Sequence, residues 1–314
     1  MQQGFTFYSA LQTTSRTIYI PLAPKRKKKE NKMVLEQLYS AEFLREKPYY
    51  GILLGLSYTV FGIALAMFLF PKDPALVAVA ITAIFLLPTL YQVTQTEEQE
   101  NATTDFSAQK LWQENKKTTY LYLAIFFGSF FAFALFSLML PKLAGNMLFK
   151  QQLQIMYGIG HATFSNQLFW ELLVNNFKVL LLCFLLAIVA GNGSIFLIIW
   201  NASVWGTIFG RLALTVGAKI AGSPVIIFVL IMLSVLPHVF LEMISYILAV
   251  MSGSLISSGF AKEDVKGQRM QSVLMYNIAL LGAALAVLVI AAAVETFVLN
   301  NFDTYAKIAE LAFE

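Results

Sequence analysis

Between Thr119 and Ser258 this 314-residue chain carries only seven charged side chains: Lys142, Lys150, Glu171, Lys178, Arg211, Lys219 and Glu242. A stretch so long and so poor in charge cannot cover itself with a water-facing surface. Over the whole chain 13% of residues are charged and 58% hydrophobic, against roughly 25% charged in soluble domains. That excludes an ordinary soluble protein. Lys and Arg number 22 and Asp and Glu 18, a net charge of +4, too weak a basic field on too apolar a chain for a nucleic-acid binder. One cysteine, Cys183, excludes a disulfide framework. Two histidines, His161 and His238, exclude a three-histidine zinc site within the chain.

A helix crossing about 30 Å of hydrocarbon needs ~20 apolar residues. Such stretches run from Gly51 to Phe70, Pro74 to Tyr91, Thr119 to Leu140, Leu172 to Ala190, Ser194 to Ala213, Val225 to Ile256 and Ser272 to Leu299. The expected fold is therefore all-α, a polytopic transmembrane bundle of about seven spans. Pro71 to Pro74 makes a turn tight enough to pair the first two spans as a hairpin, and Pro88 is expected to shorten the second. Pro224 to Ile256 would be ~50 Å long as a straight helix, so Pro237 is expected to break or kink it. A separate re-entrant half-helix over 225–236 is the stronger form of that expectation.

Four regions follow: an N-terminal basic segment (1–48), a hairpin with a charged connector (49–118), a five-span core (119–299) and a tail (300–314). The run Lys25-Arg26-Lys27-Lys28-Lys29 precedes the first span and reads as a topology signal. Met33 is an alternative start of translation, which would leave residues 1–32 outside the protein. With the N-terminus inside, 15 Lys and Arg fall on the cytoplasmic side and 6 outside. The positive-inside rule then puts the C-terminus outside the cell membrane. Val93 to Thr118 reads as a solvated cytoplasmic connector. Lys142 to Val174, moderately apolar among Gln, Asn and Gly, reads as a segment lying on or dipping into the outer interface, with Trp170 at headgroup level.

Three constellations stand out. Ser203, Gly206, Gly210, Ala213 and Gly217 recur every three or four residues, a smooth helix face suited to close packing within the chain, with a dimer seam as the lesser reading. His238 and Glu242, four apart after Pro237, share a helix face that continues as Ser245, Ala249 and Ser252. Their spacing lets imidazole and carboxyl hydrogen-bond. A carboxyl in lipid must be paired, protonated or wetted, and marks a functional position by default. Lastly, Asn175 and Asn176 open the fourth span, Asn192 sits in a Gly191-Asn192-Gly193 turn, and Asn201 lies inside the fifth span, expected to bond a neighbouring helix. No phosphate-binding loop, serine-nucleophile elbow or His-Glu-x-x-His pair occurs, so neither catalytic residues nor a cofactor are implied.

Asn175-Asn176, Gly191-Asn192-Gly193, Asn201, and Pro237-His238 followed by Glu242 and a Gly/Ser-rich helix end at Gly253 together resemble the stage II sporulation protein M family. The resemblance spans roughly residues 119–299, with Val239 standing where the family pattern often has Gly. It implies a multi-pass protein without catalytic residues, similar to the member that in spore formers anchors cell-wall hydrolases during engulfment. Three functions are carried forward. The first is a membrane scaffold with membrane or cell-envelope protein partners, homo-oligomerisation included. The second is a solute or ion transporter or channel using His238 and Glu242. The third is an intramembrane metalloenzyme.

Overall fold

The computed structural model describes residues 40–71, 74–100, 108–140, 142–159, 168–263 and 267–301, with 304, 307, 308, 310 and 311 beyond them. The basic run, Met33 and His161 lie outside the described residues. A short α1 (Ala41–Glu46), capped by the Ser40 hydroxyl accepting from the Phe43 N–H, leads into α2 (Gly51–Leu69) and α3 (Pro74–Glu100). Then come α4 (Ala108–Met139), the short α5 (Lys142–Leu148) and α6 (Lys150–Ile159), and the long α7 (Leu168–Ala190), α8 (Ile195–Lys219), α9 (Pro224–Lys262) and α10 (Gln268–Asn301). No strand occurs among the described residues.

Six unbroken helical stretches are long and apolar enough to cross a membrane. One of them, Leu168–Lys219, folds back at the 3₁₀ turn Gly191–Ser194 and supplies two crossings, α7 and α8, so the count is seven. Gly191 makes that reversal possible with φ 54°, a left-handed backbone that glycine adopts without steric cost. Contacts between helices fix their relative directions. Gly62 of α2 abuts Ala78 and Thr82 of α3, so those two form the expected antiparallel hairpin. Gly206 and Gly210 of α8 follow Phe130 and Ala134 of α4 in the same order, so these run parallel. Asn176 meets Glu242 and Ala187 meets Gly253, so α7 runs with α9. Ser252 meets Asn277 and His238 meets Glu295, so α10 runs against α9. Successive crossings alternate, and the bundle has a connector face, where α3 passes to α4, and a far face, where α4 passes to α7.

Hydrocarbon drives no association between helices, so van der Waals fit and polar bonds must. Glycine lets backbones touch between α2 and α4, between α4 and α8, and at Gly253 of α9 against Phe184 of α7. A Cβ on Gly128 of α4 would lie 2.1 Å from the Ile52 carbonyl oxygen of α2, and one on Gly206 would lie 2.4 Å from the Phe130 carbonyl oxygen. Each of the first two seams carries a polar bond: Thr59 donates to the Ser129 hydroxyl at 2.9 Å, and Ser137 to the Thr207 carbonyl at 2.9 Å. The small-residue face of α8 is thus occupied by α4 of the same chain.

Two proline expectations need correcting. Pro237 does not break the sixth span: α9 is one continuous helix, and 225–236 is its first third rather than a re-entrant piece. Nor does Pro88 end its helix, since α3 continues to Glu100. Neighbouring helices and local adjustment accommodate a missing N–H inside a membrane bundle, so proline is a weaker stop signal there than in water.

Candidate functional site

The polar side chains of α7, α9 and α10 converge in one place. On α9 the residues Val239, Glu242, Met243, Tyr246, Ala249 and Val250 are all buried, because this helix packs against α7, α8 and α10 together. Glu242 is 1% exposed and accepts a 2.7 Å hydrogen bond at Oε1 from the Asn176 amide of α7. The Glu295 carboxyl of α10 faces Glu242. His238, one turn earlier on α9, lies with Nε2 3.9 Å from Glu295 Oε1. Counting about 1.5 Å per residue, Asn176 sits roughly 20 Å from the end of α7 at Ala190 and Glu242 roughly 30 Å from the end of α9 at Lys262, well inside the bundle.

This arrangement differs from the sequence expectation in two respects. His238 and Glu242 share a helix but meet through a third residue: both turn to Glu295, and the Glu242 carboxyl also accepts from Asn176. Glu295 is the member missed. It lies inside the stretch Ser272 to Leu299, one acidic residue in an apolar run with no second polar residue one turn away to mark it. A signal was present: Asn277, Leu280, Ala284, Leu288 and Ala291 form a buried stripe at three- and four-residue spacing, and that stripe continues to 295.

Three polar atoms of the cluster, Glu242 Oε2, Glu295 Oε2 and His238 Nδ1, have no hydrogen-bond partner among the described residues. Buried polar groups are nearly always paired. An imidazole and two carboxyls left partly open inside a bundle can accept a proton or a hydrogen-bonding solute. No group of three or more His, Cys, Asp or Glu side chains placed to hold a metal ion occurs among the described residues.

The asparagines divide. Asn176 lies in the interior of α7, not at its start, and joins the cluster; Asn175 beside it is exposed. Asn192 accepts from the Thr94 hydroxyl at 3.0 Å, tying the α7–α8 turn to α3. Asn201 does not reach a neighbouring helix, since its amide donates to the Leu197 carbonyl one turn back on α8. Ser203 accepts from the Gln152 amide at 3.2 Å, and Gly217 lies against Pro224 at the start of α9. Ala213 is fully buried, and Pro237 is exposed on α9.

The far-face segment is more deeply built in than its composition suggests. Leu148, Phe149, Gln152 and Leu153 are buried, the Phe149 ring meets Phe133 of α4 edge-on, and the Arg211 guanidinium of α8 donates to the Asn146 side-chain oxygen.

A family model described as stage II sporulation protein M matches residues 58–298. The match begins inside α2, so it takes in the N-terminal hairpin as well as the five later spans. No curated protein and no solved structure matches the chain.

Proposed function

Because this chain belongs to the stage II sporulation protein M family and is an integral, multi-pass membrane protein, we propose that it is a non-catalytic scaffold that anchors partner proteins at the cell membrane. The α5–α6 segment carries this reading. One side of it is locked into the bundle through Asn146, Phe149 and Gln152, while Met147, Lys150 and Gln154 are exposed on the other. A polar face held rigidly beside spanning helices is poorly solvated by lipid and suits water or another protein. The excess of Lys and Arg expected from the sequence on the side of the charged connector, 15 against 6, supports reading the connector face as cytoplasmic. The α5–α6 surface then faces the cell envelope, where the wall hydrolases supported by the family in spore formers work.

The test is a photo-crosslinking residue at Lys150 in native membranes, with Phe68, 81% exposed on α2, as the comparison position. Discrete protein adducts at 150 and lipid adducts alone at 68 are expected. Lipid adducts alone at both positions would contradict the scaffold reading.

A second reading draws on the unpartnered atoms of His238, Glu242 and Glu295. Ionisable groups inside a bundle commonly mark proton or solute paths. On this reading Glu242→Gln abolishes flux in proteoliposomes while leaving the fold intact, and unchanged flux rejects it.

A further inference from the structure

At the connector face a cavity of about 620 Å³ opens between α3, the Gly191–Ser194 turn and the ends of α7 and α9. This lies within the range of roughly 300–1,000 Å³ typical of small-molecule sites. Its chemistry changes with depth. Near the helix ends Thr94, Asn192, Ser257 and Ser258 supply hydroxyls and an amide. Leu87 and Pro88, about two turns deeper along α3, supply apolar wall. Val189, on the α7 side, is 84% exposed, so the cavity is open sideways to the surface that meets lipid.

One lining group points to an occupant. Ser254 is 5% exposed, and its hydroxyl has no partner among the described residues. Other buried serines on the same helix are satisfied: Ser245 donates to the Glu242 carbonyl and Ser252 to the Asn277 carbonyl. A hydroxyl shut away from water and from protein acceptors, yet bordering an open cavity, is placed to bond whatever fills it. The turn is also kept lean there. The left-handed φ of Gly191 disfavours any side chain there.

We propose that this cavity binds one membrane lipid of the connector-face leaflet whose headgroup carries hydroxyls but no charge, such as a diacylglycerol or its glycosyl derivative. The hydroxyls bond Asn192, Ser254 and Ser257, and the chains leave along Leu87, Pro88 and Val189. Among the described residues no Lys, Arg, Asp or Glu lines the cavity, so a phosphate drawn in would lose its hydration without gaining a charge partner from them. A water-soluble ligand would find most of the wall apolar and the entrance in lipid. This inference is independent of the scaffold reading.

The experiment uses the full chain, stripped of lipid in detergent. It is then offered mixed micelles containing monoglucosyl dioleoylglycerol, dioleoylglycerol, dioleoylphosphatidylglycerol or dioleoylphosphatidylcholine, and retained lipid is counted by native mass spectrometry. The expected result is one glucosyl or plain diacylglycerol per chain, retained at about tenfold lower concentration than either phospholipid. Ser257→Phe, which fills the cavity, should abolish that preference. Ser254→Ala, which adds no bulk and keeps the result interpretable should the phenylalanine variant misfold, should weaken retention several-fold. Val225→Phe, on the lipid-facing side of α9 at the far face, should change nothing. Equal retention of phospholipids, or undiminished retention in both serine variants, would overturn the proposal.

Discussion

The α4–α8 seam and the α7–α9–α10 cluster solve one problem by different means. Along the seam, Gly206 and Gly210 bring one backbone against the carbonyls of Phe130 and Ala134, with a single Ser137 bond for direction. In the cluster α7 and α9 also touch closely at Gly253, but Asn176, Glu242, His238 and Glu295 add polar contacts among three helices, and three polar atoms stay unpartnered among the described residues. Where only cohesion is needed, close contact does most of the joining, and the seam leaves one polar atom, the Thr207 hydroxyl oxygen, without a partner among the described residues. A carboxyl pair beside an imidazole is a costly way to join three helices in lipid, so its presence calls for a role beyond cohesion.

The largest effect should come from breaking the seam. Gly206→Val places a branched side chain where even a Cβ would be 2.4 Å from a backbone oxygen. A loss of about 3 kcal/mol is expected, read as a collapse of monodisperse protein in size-exclusion chromatography. Ala would be tolerated only if α4 and α8 were further apart than they stand.

Next comes the cluster. Asn176→Leu removes the donor to Glu242 and leaves that carboxyl buried without it, a cost of about 1–3 kcal/mol by thermal unfolding in detergent. Combining it with Glu242→Gln measures the pair itself: a coupling of ~0.6–2 kcal/mol fits a direct bond within the bundle, and strict additivity would mean the two side chains act separately. Ser137→Ala should cost ~0.6 kcal/mol, a smaller loss because the seam keeps its close contact. Smallest of all is Asn201→Ala, within ~0.5 kcal/mol, since its amide bonds only its own helix. A larger loss there would reveal a tie across helices.

Hydropathy located all seven crossings because each needs an unbroken apolar run, but it did not locate the helix ends. It marks where lipid is, and α4 and α9 continue as helices beyond it, to Ala108 and Lys262. The small-residue face of α8 was legible because its spacing alone defines a stripe, whereas its partner α4 was not. Pro237 and Pro88 misled because rules for helices in water overstate their effect inside a bundle. Asn201 misled in the other direction, having a carbonyl of its own helix within reach. At the site, His238, Glu242 and Asn176 were visible as polar residues in apolar runs. Their pairing was not, because it depends on which faces of α7 and α10 meet α9. Glu295 required following a buried stripe to its end.

Everything rests on an odd number of crossings with the polar cluster turned inward. The most direct test replaces the buried Cys183 by Ser and adds single cysteines at Lys47 and Asn301, both exposed at opposite ends of the bundle. These are then labelled with a membrane-impermeant maleimide in sealed vesicles of known orientation. Labelling of one position from outside and of the other only after the vesicles are opened is the result expected. Labelling of both from the same side would contradict the seven-crossing bundle and every placement built on it.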